Sequence, residues 1–321
     1  MALLHNALLM NTLDIIVPVF NEQEVLPMFQ KRITGIMDTS NVNWRVIFVD
    51  DGSSDDSLTL MQQINREDSR FGYLTLSRNF GKEYALTAGL DHATADAVVV
   101  IDVDLQDPPE LIPEMIDACR EGYDVVYATR KQRHGESWAK KATANWFYKT
   151  INAVSKINIP KDTGDYRLMN KKAYTAVNTL RERNRFMKGL FAWVGYKQKQ
   201  ILFEREPRAA GTTKWNYTKL WRFALDGITS FSYLPLRFAT WIGMAVASFA
   251  FIYGAVIIGK TLIFGNDVPG YPSLMTVVLF LGGIQLTALG IIGEYLGRMF
   301  NESKQRPLYL VAEFKPPKEH Q

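Results

Sequence analysis

From residue 14 to 128, short apolar runs alternate with longer stretches in which apolar residues recur at helical spacing. "DIIVPVF" reads as a strand and Glu22 to Met37 as a helix. "WRVIFVD" is the next strand, with a helix over about Ser54 to Asp68. "YLTLS" and "AVVVID" follow, separated by a helix over about Lys82 to His92, and "DVVYAT" closes the series. Repeated β–α units of this length predict a parallel sheet covered by helices on both faces. In such sheets ligands bind beyond the carboxyl ends of the strands. The polar residues gather at those ends: Asn21 and Glu22 after the first strand, Asp50 and Asp51 after the second, Arg78 and Asn79 after the third, Asp102 and Asp104 after the fourth.

Beyond residue 130 the pattern shifts to longer helical stretches rich in Lys, Arg and aromatic residues, followed by a strand-like "KQKQILFER" and a basic "REPRAAGTTKWN". Lys214 to Leu236 reads as an amphipathic helix whose Trp215, Leu220, Trp221 and Leu225 suit either a membrane interface or a protein core; its place before an apolar run favours the interface. Phe238 to Ile258 and Leu274 to Gly293 contain no charged side chain, and each is about as long as a bilayer-crossing helix. The link "FGNDVPGYPS" carries no Lys or Arg, whereas Arg237, Arg298, Lys304 and Arg306 lie on the outer flanks. The positive-inside rule then predicts a hairpin with both termini cytoplasmic. Lys260, near the outer end of the first span, can snorkel to the headgroups.

Composition adds limits. Of 321 residues, 47% are apolar and 22% charged, ordinary for a globular chain. A net charge of +4 without a long basic run gives no reason to expect nucleic acid as a partner. "MALLHNALLMNT" lacks a basic n-region and a cleavage site, so no signal peptide is expected. The single Cys119 excludes an intramolecular disulfide and suits a reducing compartment.

The candidate chemistry centres on "VVVIDVDLQDPPE", residues 98–110. If the strand continues, Asp102, Asp104 and Gln106 project to one side. Two carboxylates there repel each other unless a cation sits between them, and Mg²⁺ takes oxygen ligands that it shares with phosphates. The other reading is a solvated loop in which Asp107 caps a helix starting at Pro108. Neither a G-x-G-x-x-G turn nor a Walker A loop occurs, so a nucleotide diphosphate would need a metal to offset its charge.

Together, "VPVFNE", "VDDGSSD", the "DVD" at 102–104 and "GDYRLM" resemble the inverting glycosyltransferases of family 2, whose nucleotide-binding domain has the GT-A fold. "SRNFGKE", "DVDLQDPPE", "RFMKGLFAWVGY", "GTTKWNYTKLW", "GITSFSYLPLR" and "GEYLGRMFNESKQRPLY" are similar to polyprenyl-phosphate glycosyltransferases, relatives of dolichol-phosphate mannose synthase, and in particular to bacterial bactoprenol (undecaprenyl-phosphate) glucosyltransferases. The resemblance implies an α/β GT-A catalytic domain, Rossmann-like with a mostly parallel sheet, over 13–214 after an N-terminal extension at 1–12. Interfacial amphipathic helices at 215–236, a two-helix transmembrane hairpin at 237–297 (spans of about 238–262 and 274–296) and a cytoplasmic tail at 298–321 complete the implied order.

The resemblance also implies an activity: transfer of a sugar, glucose foremost, from a UDP-sugar to undecaprenyl phosphate at the bacterial inner membrane, with the active site cytoplasmic. The product would be a lipid-linked donor for surface glycan (O-antigen) modification. UDP-GlcNAc and GDP-mannose stay open as donors. Pro18, Phe20, Asn21, Glu22, Asp50 and Asp51 correspond to the uridine pocket, with Asp102 also on the nucleotide sugar. Asp102 and Asp104 correspond to the ligands of Mg²⁺ or Mn²⁺, with Gln106 as a third. Lys82 and Arg78 fit either the diphosphate or a solvated helix face. Asp104 and Asp165 are the catalytic candidates, Asp165 as base or as an orienting charge with Arg167 its ion-pair partner. Arg130, Arg133, Arg208 and Lys214 suit the acceptor phosphate, which Arg binds bidentately.

A homo-oligomer is implied, a tetramer in relatives; the small-residue faces Gly243-xxx-Ala247 and Gly293-xxx-Gly297 suit either closure of the hairpin or contact with a neighbouring chain, which the oligomer favours, and a strand-like "KQRPLYLVAEF" offers pairing to a neighbour. Two rivals fit less well. A processive polysaccharide synthase carries a Q-x-x-R-W motif that is absent here. A non-enzymatic membrane module needs no intact metal carboxylates, and spans without charge make a poor transport path.

Overall fold

The computed structural model describes residues 10–131, 163–204, 234–264 and 270–319. The chain forms two compact units, Met1–Arg222 with Arg306–Gln321, and Phe223–Gln305. The first is built on β1 (Thr12–Val19), α1 (Leu26–Met37), β2 (Asn43–Asp50), α2 (Ser57–Glu67), β3 (Phe71–Leu76), α3 (Lys82–Asp91) and β4 (Ala97–Val100). It continues with α4 (Ile112–Arg120), β5 (Val125–Arg130), β6 (Thr163–Asn170), α5 (Lys171–Thr179), α6 (Met187–Trp193), β7 (Gln198–Phe203) and, after the second unit, β8 (Val311–Lys315).

Among the described residues these strands make one sheet of order β7-β5-β6-β4-β1-β2-β3-β8. β4, β1, β2 and β3 run parallel, β5 and β7 are parallel to each other, and β6 and β8 are antiparallel to their neighbours. This is the mostly parallel, Rossmann-like GT-A architecture. The apolar runs of β1, β2 and β4 are buried along nearly their whole length, as strands covered on both faces must be. On one face Leu13, Ile15 and Val17 join Leu26, Phe29 and Ile33 of α1 and Ile112 and Met115 of α4 in the main core. On the other, α3 packs so closely that a Cβ on Gly89 would collide with Ile16.

Three findings depart from expectation. α1 begins at Leu26 rather than Glu22, because Glu22 to Val25 form a turn whose backbone bonds to the loop after β2. β6, whose "TGDYRLMN" carries too many polar residues to read as a core strand, lies between β4 and β5. Finally, the strand-like C-terminal segment pairs with β3 of its own chain: Tyr73 aligns with Lys315 and Thr75 with Glu313, and the Tyr73 hydroxyl donates to Glu313 (2.7 Å).

The second unit contains α7 (Leu234–Phe264) and α8 (Tyr271–Ser303), which pack on each other. Leu236–Lys260 and Leu274–Ser303 are long and apolar enough to cross a membrane. Their apolar side chains are bare, with Phe251 79% and Leu262 81% exposed. A Cβ at Gly243, Gly293 or Gly297 would meet open space, so these glycines do not close the described hairpin. The proposed interfacial helix at 215–236 lies almost wholly outside the described residues.

Candidate active site

β1 and β2 end side by side, Val19 opposite Asp50, so the loops that follow start together. They are laced by Asn21 N–H donating to Ser53 Oγ (2.9 Å), Ser54 N–H to Asn21 Oδ1 (2.8 Å) and Glu22 N–H to Ser57 Oγ (2.9 Å). Asn21 adopts a left-handed φ of 56°, which asparagine tolerates better than most residues. Gly52, at φ +72°, has the loop after β3 against it: a Cβ would sit 2.8 Å from the Arg78 carbonyl carbon and the Asn79 nitrogen. Pro18 lies in register with Val49, and Phe20, just past the end of β1, is 39% exposed.

The paired aspartates have different duties. Asp51 accepts the Phe80 and Gly81 N–H groups, one on each oxygen (2.7 and 2.9 Å), and so shapes the β3–α3 loop. Burial pushes its pKa up, partly offset by those two bonds. Asp50 accepts Ser53 N–H at Oδ1 (3.0 Å), while its Oδ2 is buried and accepts nothing. Burial raises its pKa too. A buried acceptor left unpaired costs about 1–3 kcal/mol, so Asp50 Oδ2 is poised to take a donor from a ligand.

β4 ends at Val100, short of the aspartates, and the backbone turns at 103–105 with Leu105 at φ 57°. The straight strand expected through Gln106 is therefore not formed. Exposure nevertheless alternates: Ile101, Val103, Leu105 and Asp107 are buried, whereas Asp102, Asp104 and Gln106 are half-buried. Gln106 N–H donates to Asp104 Oδ1 (3.2 Å). β6 pairs antiparallel with β4, Val100 opposite Arg167, which carries Asp165 to the level of Asp102. Lys82, in the first turn of α3, reaches between the two. Its Nζ lies 2.6 Å from Oδ1 and 2.8 Å from Oδ2 of Asp102, and 2.9 Å from Asp165 Oδ2.

The ion pairs dominate the electrostatics. Burial pulls the Lys82 ammonium toward neutrality, but Asp102 and Asp165 outweigh it and hold its pKa well above the usual value. Burial likewise opposes ionisation of Asp165, yet Lys82 and then Lys188 keep its carboxyl below the ordinary carboxylate range. Asp165 Oδ1 is buried without a hydrogen-bond partner. The donors around Asp102 and Asp104 are oxygens, which suits a hard divalent cation. No three His, Cys, Asp or Glu side chains among the described residues form a cage by themselves. Two carboxylates do fit an ion such as Mg²⁺ that keeps water and substrate phosphate as its other ligands.

Residues 14–177 match the glycosyl transferase family 2 model, and residues 234–299 match the GtrB C-terminal hairpin. The chain belongs to glycosyltransferase family 2. An uncharacterized glycosyltransferase of Synechocystis sp. is 52% identical over 301 residues, covering 94% of this chain and 95% of the relative. A prophage bactoprenol glucosyl transferase homolog of Escherichia coli K12 is 47% identical over 303 residues (94% and 99%). The bactoprenol glucosyl transferase of Shigella phage SfV is 46% identical over 299 residues (93% and 97%).

In this glycosyltransferase the sheet edge gathers more charge than its sequence motifs announce. Glu83 follows Lys82, and its carboxylate accepts Met187 N–H (3.1 Å); burial and the Asp165 charge push its pKa up to about 7. Asp107 is buried, not a solvated helix cap, and burial with the Asp102 charge pushes it to about 7, with Arg130 partly offsetting both. Arg130, at the end of β5, keeps a buried Nε without a hydrogen-bond partner. Arg78 lies over the Phe80 ring. Arg167 lowers the Asp165 pKa through its charge but makes no direct ion pair with it among the described residues; it donates to the Gly164 and Asp165 carbonyls (2.9 and 3.2 Å) and stacks on Phe191. Arg133, Arg208 and Lys214 lie outside the described residues.

Proposed function

We propose that this glycosyltransferase moves glucose from UDP-glucose to undecaprenyl phosphate with inversion at the anomeric carbon. The observation that carries the reading is the alignment, on one sheet edge, of the unpaired Asp50 oxygen with the Asp102, Asp104 and Asp165 carboxylates. The names of near full-length relatives point to glucose and to bactoprenol as acceptor.

Asp50 Oδ2 accepts the uracil N3–H, while the laced loops at Pro18 to Glu22 and the Asp51-shaped turn frame the nucleoside. Asp102 and Asp104, with Gln106 alongside, would hold Mg²⁺ or Mn²⁺, which would supply positive charge to offset that of the leaving diphosphate. The acceptor phosphate has a second pKa near ~6 and is mostly dianionic at neutral pH, so it attacks without needing a strong base. Asp165 lies at the level of Asp102 and serves as an orienting charge, since a dianionic acceptor phosphate does not need it as a base. Arg130, with Arg133, Arg208 and Lys214, binds the acceptor phosphate.

The apolar hairpin keeps the site at the cytoplasmic face of the bacterial inner membrane, both termini inside, in a homo-oligomer. The product feeds surface glycan modification such as that of O-antigen. The test is transfer by purified protein in detergent with undecaprenyl phosphate, Mg²⁺ and a panel of radiolabelled nucleotide sugars. An organic-soluble product from UDP-glucose, abolished by EDTA, is expected. A product from UDP-GlcNAc or GDP-mannose instead overturns the sugar, and no lipid product from any donor overturns the reaction.

A further inference from the structure

We propose that Lys82 is the resident counter-ion of the metal site: its ammonium bridges Asp102 and Asp165 while no cation is bound, and a divalent cation arriving at Asp102 and Asp104 displaces it toward the donor diphosphate. The inference rests on reading Asp102 and Asp104 as the metal ligands. Its starting point is that both Asp102 oxygens lie within 2.8 Å of Lys82 Nζ, with Asp165 Oδ2 at 2.9 Å. A cation that binds Asp102 must take at least one of those oxygens, so the ammonium and the metal compete for one carboxylate.

Charge explains why a resident cation is needed. Asp102, Asp104, Asp107 and Asp165 converge at the end of β4, and like carboxylates brought together raise one another's free energy. A lysine in the first turn of α3 relieves this without closing the site. Its compact charge rides on a flexible four-carbon stem, whereas an arginine fork would hold the pair rigidly. The side chain retains 42% of its exposure, so it can swing without moving the helix.

Its destination follows from the loop that precedes it. Phe80 and Gly81 are bound by Asp51, next to the Asp50 pocket, so the arc of Lys82 runs between the base site and the carboxylates. That is the space a diphosphate must cross. Displacement thus moves one positive charge from the ligand carboxylates to the substrate, and the site accepts metal and nucleotide together more readily than either alone.

The test uses the full chain in detergent and follows Mn²⁺ binding by EPR and UDP binding by calorimetry at saturating Mn²⁺. Lys82→Met should bind Mn²⁺ about tenfold more tightly or better, a change of about 1.4 kcal/mol, while binding UDP more weakly. Those opposite signs separate competition from general damage to the fold. Lys82→Arg, which keeps the charge and grips both carboxylates, should weaken Mn²⁺ binding and decides the matter if Lys82→Met does not fold. Unchanged or weaker Mn²⁺ binding in Lys82→Met, with binding still lost in Asp104→Asn, overturns the counter-ion role and leaves the metal site standing. If the wild-type chain binds no Mn²⁺ with or without UDP, the metal reading fails and the proposal with it.

Discussion

The two ends of the same sheet both bury charge, and they do it in opposite ways. At the amino ends of β1 and β2, Asp14 and Arg45 face each other in register. Arg45 Nε and Nη2 donate to the two Asp14 oxygens, Nη2 also donates to Thr94 Oγ1, and the Thr94 and Ala95 N–H groups complete the carboxylate. At the carboxyl ends, among the described residues, Lys82 bridges two carboxylates, and buried oxygens of Asp50 and Asp165 accept no hydrogen bond. A balanced buried cluster is a fastening; an unbalanced one is waiting for a ligand. Burial alone does not separate the two cases, but hydrogen-bond accounting does.

Substitutions can break that contrast. The largest effect on stability should come at the balanced end: Arg45→Ala strands a buried carboxylate and should cost about 3–5 kcal/mol in a denaturant titration of the catalytic unit's transition. At the open end, Asp104→Asn should leave the melting temperature nearly unchanged yet lower transfer about a hundredfold or more, read from initial rates at saturating Mg²⁺. A matching loss of stability there would erase the distinction.

A subtler effect should appear as pH dependence at Glu83, whose carboxyl is harder to ionise in the folded chain than in the unfolded one. The stability tied to this group is complete below its ordinary value of 4.5 and is lost as pH rises through about 7. Melting curves of Glu83→Gln and wild type in EDTA should converge near pH 4.5 and separate by several degrees above 7, with the variant the more stable. The smallest effect belongs to Thr94→Val, which removes one hydroxyl from the balanced cluster and should cost about 1 kcal/mol.

Much of this architecture was legible in the chain before any coordinates, and the exceptions share a cause. β1 to β5 announced themselves because strands covered on both faces are nearly uninterrupted apolar runs. β6 did not, since Gly164, Asp165 and Arg167 break its apolar character, and Asp165 among them belongs to the site. Asp102 and Asp104 were evident as a motif. The closeness of Asp165 to Asp102 depends on an antiparallel register between strands 63 positions apart, which no local pattern encodes. Lys82 looked as much like a solvated helix residue as a site residue, because only the third dimension brings it between two carboxylates. Asp107 was readable as a helix cap, and its burial is set by packing around the turn at Leu105.

The outermost strand has a bearing on synthesis. β8 is translated after both long apolar helices, yet it covers the open edge of β3, and Tyr309 behind it bonds Asp91 at the far end of α3. A ribosome therefore releases the catalytic sheet with one margin bare and closes it only once the whole hairpin has emerged. Chains stopped anywhere in the hairpin leave that margin available to strands of other nascent chains. Completion of the sheet thus depends on residues 311–315, which the chain supplies only after the hairpin.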